Sequence, residues 1–171
     1  MISKPAIWLP RPPSRFGYLM GLYGENYLRL QRLFWVDNLQ ASAYRSSVDD
    51  GLDLRLDIVE RHPYTVELYL TYELQDPLTG QPDPSAYLRC YRDAKMAEVT
   101  HCYVGSRWQD VLGLDADART VIGHRLRMNA FLSKWLEYLA EQGHSHFTLM
   151  PTASPPLRSN QAQRLTVVAN A

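Results

Sequence analysis

The chain has 171 residues, 46% of them apolar, with 18 Lys plus Arg balanced by 18 Asp plus Glu. A chain of this length buries roughly 70% of its unfolded surface and can fold on a hydrophobic core without metal or disulfide staples. Zero net charge removes the global attraction to nucleic acid or anionic lipid, and two cysteines, Cys90 and Cys102, are too few for a disulfide framework.

The chain opens on a Pro- and Arg-rich segment that reads as an extended arm over residues 1–23, whose aromatic run from Phe16 to Tyr23 is able to dock. Its short apolar run is interrupted by Pro5, Pro10, Pro12 and Pro13 and does not read as a signal peptide. No stretch approaches the roughly 18 apolar residues of a membrane span. A soluble protein of a reducing cytoplasm is expected. Tyr27, Leu30, Leu33 and Phe34 recur at helical spacing and predict a first helix over residues 25–34, with Arg29 and Arg32 on its wet face.

Residues 52–59 and 64–74 then alternate apolar and polar, the pattern of strands with one face buried. Matching the apolar faces predicts Ile58 opposite Tyr64, Leu56 opposite Val66 and Leu54 opposite Leu68, with Arg55 facing Glu67 and a turn at Glu60-Arg61-His62. Residues 75–84 are a loop by composition. A second hairpin over residues 87–104 turns at Asp93-Ala94, which places Tyr91 beside Met96, Cys90 beside Ala97, Arg89 beside Glu98 and Leu88 beside Val99. Its inner face is then Leu88, Cys90, Ala97, Val99 and His101, and its outer face carries Tyr87, Arg89, Tyr91, Met96, Glu98 and Cys102, which sets the two cysteines on opposite faces. A long helix is predicted over residues 117–142, capped by Asp117 and ended by Gly143. Its apolar stripe is wide enough to pack against more than one surface.

The expected fold is α+β: a helix, a four-stranded antiparallel β-meander and a long C-terminal helix packed on one sheet face. The expected organisation is an arm over residues 1–23, one domain over 24–147 and a disordered tail over 148–171.

Several common chemistries lack their signatures. There is no Walker loop, no Gly-x-Gly-x-x-Gly, no Gly-x-Ser-x-Gly, no Cys-x-x-Cys and no His-Glu-x-x-His. His144 and His146 read as histidines favoured by a helix C-terminus rather than as a metal pair. His101 reads as a core histidine, and Asp93 as a residue that shapes its own turn. A non-catalytic binding or adaptor domain without cofactor or metal is therefore expected.

Two surfaces could serve it. The leading one is an exposed sheet face of Tyr69, Tyr87, Arg89, Tyr91, Met96 and Glu98, the composition that protein interfaces favour, for a protein partner or a homo-oligomer. The alternative is Arg119, His124, Arg125 and Arg127 at the start of the last helix. Cations there oppose the helix dipole by about 0.3–1 kcal/mol each, so a nucleotide-like or phosphate anion would suit them, in a regulator or an enzyme. Nucleic acid is a weaker expectation, because the basic residues of the sheet are matched by acids.

The chain also resembles a known family. Asn26-Tyr27 with Leu30, Arg32 and Leu33 form one block, and Leu56, Ile58-Val59-Glu60 and Tyr64-Thr65 a second. Arg89, Tyr91, Asp93-Ala94 and Ala97-Glu98-Val99 form a third, and Asn129, Phe131-Leu132, Trp135-Leu136 and Gly143 a fourth. In this order they are similar to the small bacterial YqiB-like proteins, a domain of unknown function, over residues 25–143. The resemblance implies no activity. The chain departs from that pattern in its longer Pro-rich loop and tails, and in residues 118–123, where an acidic stretch is expected.

Overall fold

The computed structural model describes residues 12–75, 77–78, 84–102 and 117–153. Helix α1 spans Arg15–Phe34 and helix α2 spans Ala118–Glu141. The strands are β1 (Ala43–Ser46), β2 (Leu54–Arg61), β3 (Thr65–Tyr72), β4 (Ser85–Tyr91), β5 (Met96–Cys102) and β6 (Leu149–Pro151). They form a single sheet in the order β5-β4-β3-β2-β1-β6, antiparallel throughout. The fold is α+β, but the expected four-stranded meander is a meander of five strands, β1 to β5, with β6 returning to the free side of β1. Four and three residues are too short for a period of two to show in sequence.

Helix α1 starts at Arg15 rather than near residue 25. Ser14 takes an extended conformation and its side chain accepts a hydrogen bond from the Gly17 N–H at 3.0 Å, a standard N-cap. Leu19, Leu22 and Tyr23 are buried, so the aromatic run taken for an arm docks as helix. The first eleven residues of the expected arm and the tail from residue 154 lie outside the described residues. Helix α2 begins as predicted, with the Asp117 carboxylate accepting from the Thr120 N–H at 2.8 Å. It ends in a Schellman turn: Gly143 N–H donates to Ala140 O, His144 N–H donates to Leu139 O, and Gly143 adopts φ +92°, where other residues are strained.

Both helices pack on one face of the sheet. Leu30 and Phe34 of α1 and Leu132, Leu136 and Leu139 of α2 share a core with Leu54, Leu56, Leu68, Leu70, Leu88, Cys90, Ala97 and Val99. Each fully buried Leu contributes on the order of 1.5–3 kcal/mol. The Cys90 thiol lies in this core with its pKa pushed up to about 12 by burial.

The β4–β5 hairpin has the predicted register, from Leu88 opposite Val99 to Tyr91 opposite Met96. Asp93 accepts from the Ala94 N–H at 2.9 Å within the turn. The β2–β3 hairpin does not keep its prediction. Leu56 pairs with Leu70 and Ile58 with Leu68, so Arg55 faces Thr71 and not Glu67. The turn lies beyond Arg61, where the His62 N–H donates to Thr65 O at 2.8 Å, and an irregularity at Val59 separates the Ile58 and Glu60 pairs. A slip by an even number of residues leaves every side chain on its proper face, so hydrophobic matching could not exclude it.

Candidate functional site

The two helices run parallel. The Arg125 guanidinium lies 3.5 Å from the Tyr23 hydroxyl, the Asn26 amide donates to Asn129 O at 3.1 Å, and further on Leu33 and Leu136 line one groove. Both N-termini therefore lie at the same end of the helix layer, and their dipoles add there. Neither first turn contains an acidic side chain.

Arg119, Gly123 and Arg127 are spaced by one helical turn each and share a face of α2. Arg15 reaches the same place from α1. A Cβ at Gly123 would stand 4.0 Å from Arg15 Nη2 and 4.0 Å from Arg127 Nη1. Two guanidinium groups from different helices thus flank a position that has no side chain. Among the described residues, Arg15, Arg119 and Arg127 have no carboxylate within 4.0 Å.

The other two expected anion ligands differ. Arg125 turns toward the edge strand, where Nη1 lies 3.4 Å from Glu98 Oε2. The same carboxylate accepts from the Tyr91 hydroxyl at 2.8 Å. The buried Tyr23 hydroxyl beside this pair has its pKa pushed up to about 12, first by burial and then by the Glu98 charge. Arg125 therefore joins both helices to β5 rather than facing solvent. His124 has its pKa lowered by burial and then by the Arg127 charge, so near neutral pH it is an uncharged neighbour, not a further cation. Arg15 was missed because it was assigned to an extended arm; the signal was Ser14 followed by the helical spacing of Leu19, Leu22 and Tyr23.

The predicted sheet face exists but is not an exposed row. Tyr69 is 4% accessible and Glu98 is buried, while Tyr87, Arg89, Tyr91 and Met96 are half-buried. Arg89 pairs with Glu67 at 2.6 Å, not with Glu98, although Glu98 is its neighbour in register. Asp57, Tyr69, Tyr87 and His101 stand in one cross-strand row over β2 to β5, with Tyr87 and His101 stacked at 3.9 Å. His101 joins this face instead of the core because the register shifts between the Leu88 and Tyr87 pairs, leaving Thr100 without a partner. In the adjoining row Arg55, Thr71 and Ser85 are buried, and Arg55 donates to Asp57 at 2.9 Å. Alternation in the sequence separates the two faces of a sheet but does not say whether the polar one is wet.

The two terminal histidines diverge. His144 is buried and its Nδ1 lies 2.8 Å from Ser46 Oγ, which bridges to Thr148 Oγ1 at 2.7 Å. It ties the end of α2 to β1 instead of resting on a helix dipole. His146 stacks on Trp35 with centroids 3.9 Å apart.

The fold and this site define a small α+β domain with a paired-helix basic end. The chain belongs to the family described as protein of unknown function (DUF1249), whose model matches residues 29–145. No curated protein and no solved structure matches it. Among the described residues no helix is long and apolar enough to cross a membrane.

Proposed function

We propose that the protein is a non-catalytic binding domain that holds a phosphate-bearing anion where its two helices begin. The observation that carries this reading is the approach of Arg15 and Arg127 to the bare position at Gly123, without carboxylate partners among the described residues. Arg15 and Arg119, in the first turns of their helices, each work against the helix dipole by about 0.3–1 kcal/mol, and a bound anion reverses the sign of that interaction. Arg119, one turn before Gly123, extends the same charged face. The contacts are exposed, so binding should weaken as salt screens them.

The reading includes a narrower assignment: a YqiB-like bacterial protein of the cytoplasm, with one domain that runs from helix α1 to strand β6, over residues 15–151. It rests on the four residue blocks and on the composition. The sheet face of Tyr69, Tyr87, Arg89, Tyr91 and Glu98 remains a second surface, now supported mainly by the half-buried Tyr87 and Tyr91.

The test is thermal stabilisation by inorganic phosphate and pyrophosphate against chloride at matched ionic strength. Stabilisation should be lost in Arg15→Ala and in Arg127→Ala and kept in Arg32→Ala, at the far end of α1. A wild-type protein that neither phosphate nor pyrophosphate stabilises ends the proposal.

A further inference from the structure

Away from that basic end, the outer side of the helix layer carries a groove of about 480 Å³ between α1 and α2. Its apolar lining is Leu28, Leu33, Leu136 and Ala140. Leu28 is 55% exposed, and Trp35, which lines the adjoining hollow with Leu28 and Arg32, is 50% exposed. The two walls differ in charge: α1 brings Glu25, Arg29 and Arg32, and α2 brings Glu137 and Glu141. Three of these five are satisfied locally, Glu25 and Arg29 by each other at 2.6 Å and Glu137 by Lys134 at 2.9 Å. Arg32 and Glu141 have no opposite charge within 4.0 Å among the described residues.

We propose that this face joins two copies of the chain in an isologous dimer, with Arg32 of each copy meeting Glu141 of the other. A two-fold axis sets a patch against itself, so a contact made once is made twice. An apolar floor with one unused cation on one wall and one unused anion on the other is self-complementary in that sense. A second copy carries both charges by construction, whereas an unrelated partner would have to match them separately. The exposed Leu28 and Trp35 supply apolar area beside Arg32, and complementary charge fixes the register.

The experiment is sedimentation over a concentration series. The wild type should show a reversible monomer–dimer equilibrium. Arg32→Glu and Glu141→Arg should each weaken it by about tenfold or more, since each sets two like pairs across the axis. The double variant Arg32→Glu/Glu141→Arg should restore it, because both pairs are then reversed together. Unchanged melting of each variant at low concentration separates loss of association from loss of folding. A wild type that stays monomeric overturns the proposal, as does a dimer indifferent to the single reversals or one that the double variant fails to rescue.

Discussion

The Asn129 side-chain oxygen accepts a hydrogen bond from the Val99 N–H at 3.0 Å, so a helix side chain takes up a backbone donor at the middle of the β5 edge. The same amide donates to Arg125 O at 2.9 Å, and the Asn129 carbonyl accepts from Asn26. One fully buried residue thus joins β5 and α2 through its side chain and α1 through its backbone carbonyl. An open edge strand invites pairing with other chains, and at Val99 this one is already bonded to the helix. The opposite edge, β6, is only three residues long and ends at Pro151, which has no N–H to offer.

Asn129→Ala should therefore cost about 2–3 kcal/mol, the penalty for leaving a buried N–H unsatisfied together with the lost packing. Urea unfolding gives the magnitude. Amide exchange at Val99 gives the cause, since that amide should lose protection more than those of the central strands.

Arg55 and Asp57 form a buried pair on the opposite sheet face, with Nε 2.9 Å from Oδ1. Removing one partner takes a charge-assisted hydrogen bond from a buried ion, so Asp57→Ala should destabilise by about 1.5–3 kcal/mol. The double variant Arg55→Met/Asp57→Leu should cost less than the sum of the two single changes. Strict additivity in a double-mutant cycle would show that the pair does not act as a unit.

Burial lowers the pKa of His144 below its ordinary 6.5, against smaller opposing contributions from the Leu52 backbone and the Asp53 charge. The folded state then prefers the neutral ring more than the unfolded chain does. The unfolded chain takes up its proton first as pH falls through 6.5, so this stability is complete above that value and is lost on acidification through the lowered folded pKa. Unfolding free energies measured from about pH 7.5 to about pH 5 should fall, and the fall should be shallower in His144→Asn.

Gly123 offers a test that separates helix propensity from charge. A methyl there meets Arg15 and Arg127 only at ordinary contact distance, so Gly123→Ala should stabilise α2 by about 0.5–1 kcal/mol without phosphate and, by filling the bare position, weaken the response to phosphate. Gly123→Glu places a carboxylate between the two guanidinium groups and should abolish the response to phosphate. Melting curves with and without pyrophosphate read both effects.

The core was legible in the sequence and the surface was not. Leu88, Cys90, Ala97 and Val99 fall where alternation put them, because burial on one face imposes a period of two that nothing else in the hairpin contradicts. The register of β2 on β3 was not legible, since an even slip satisfies the same rule. His101 was misplaced because a single unpaired residue, Thr100, inverts every face after it. For the candidate site, Arg119 and Arg127 were visible as cations at a helix start, but Arg15 arrives from more than one hundred residues earlier. No local pattern carries such a contact, nor could one show that Arg125 turns inward to Glu98.

The hydrogen bond between Asn26 and Asn129 spans 103 positions of chain, which bears on how the protein is made. Translation delivers α1 first, then the strands of the meander, and only afterwards the helix that completes the layer. Until residues 118–141 emerge, Leu30, Leu68 and Leu88 lack Leu132 and Leu136, so the nascent chain carries a half-covered apolar surface on the ribosome. Long-range closure of this kind slows folding, and exposed apolar intermediates aggregate. A chain truncated after β5 should accordingly engage chaperones instead of accumulating as a stable fragment.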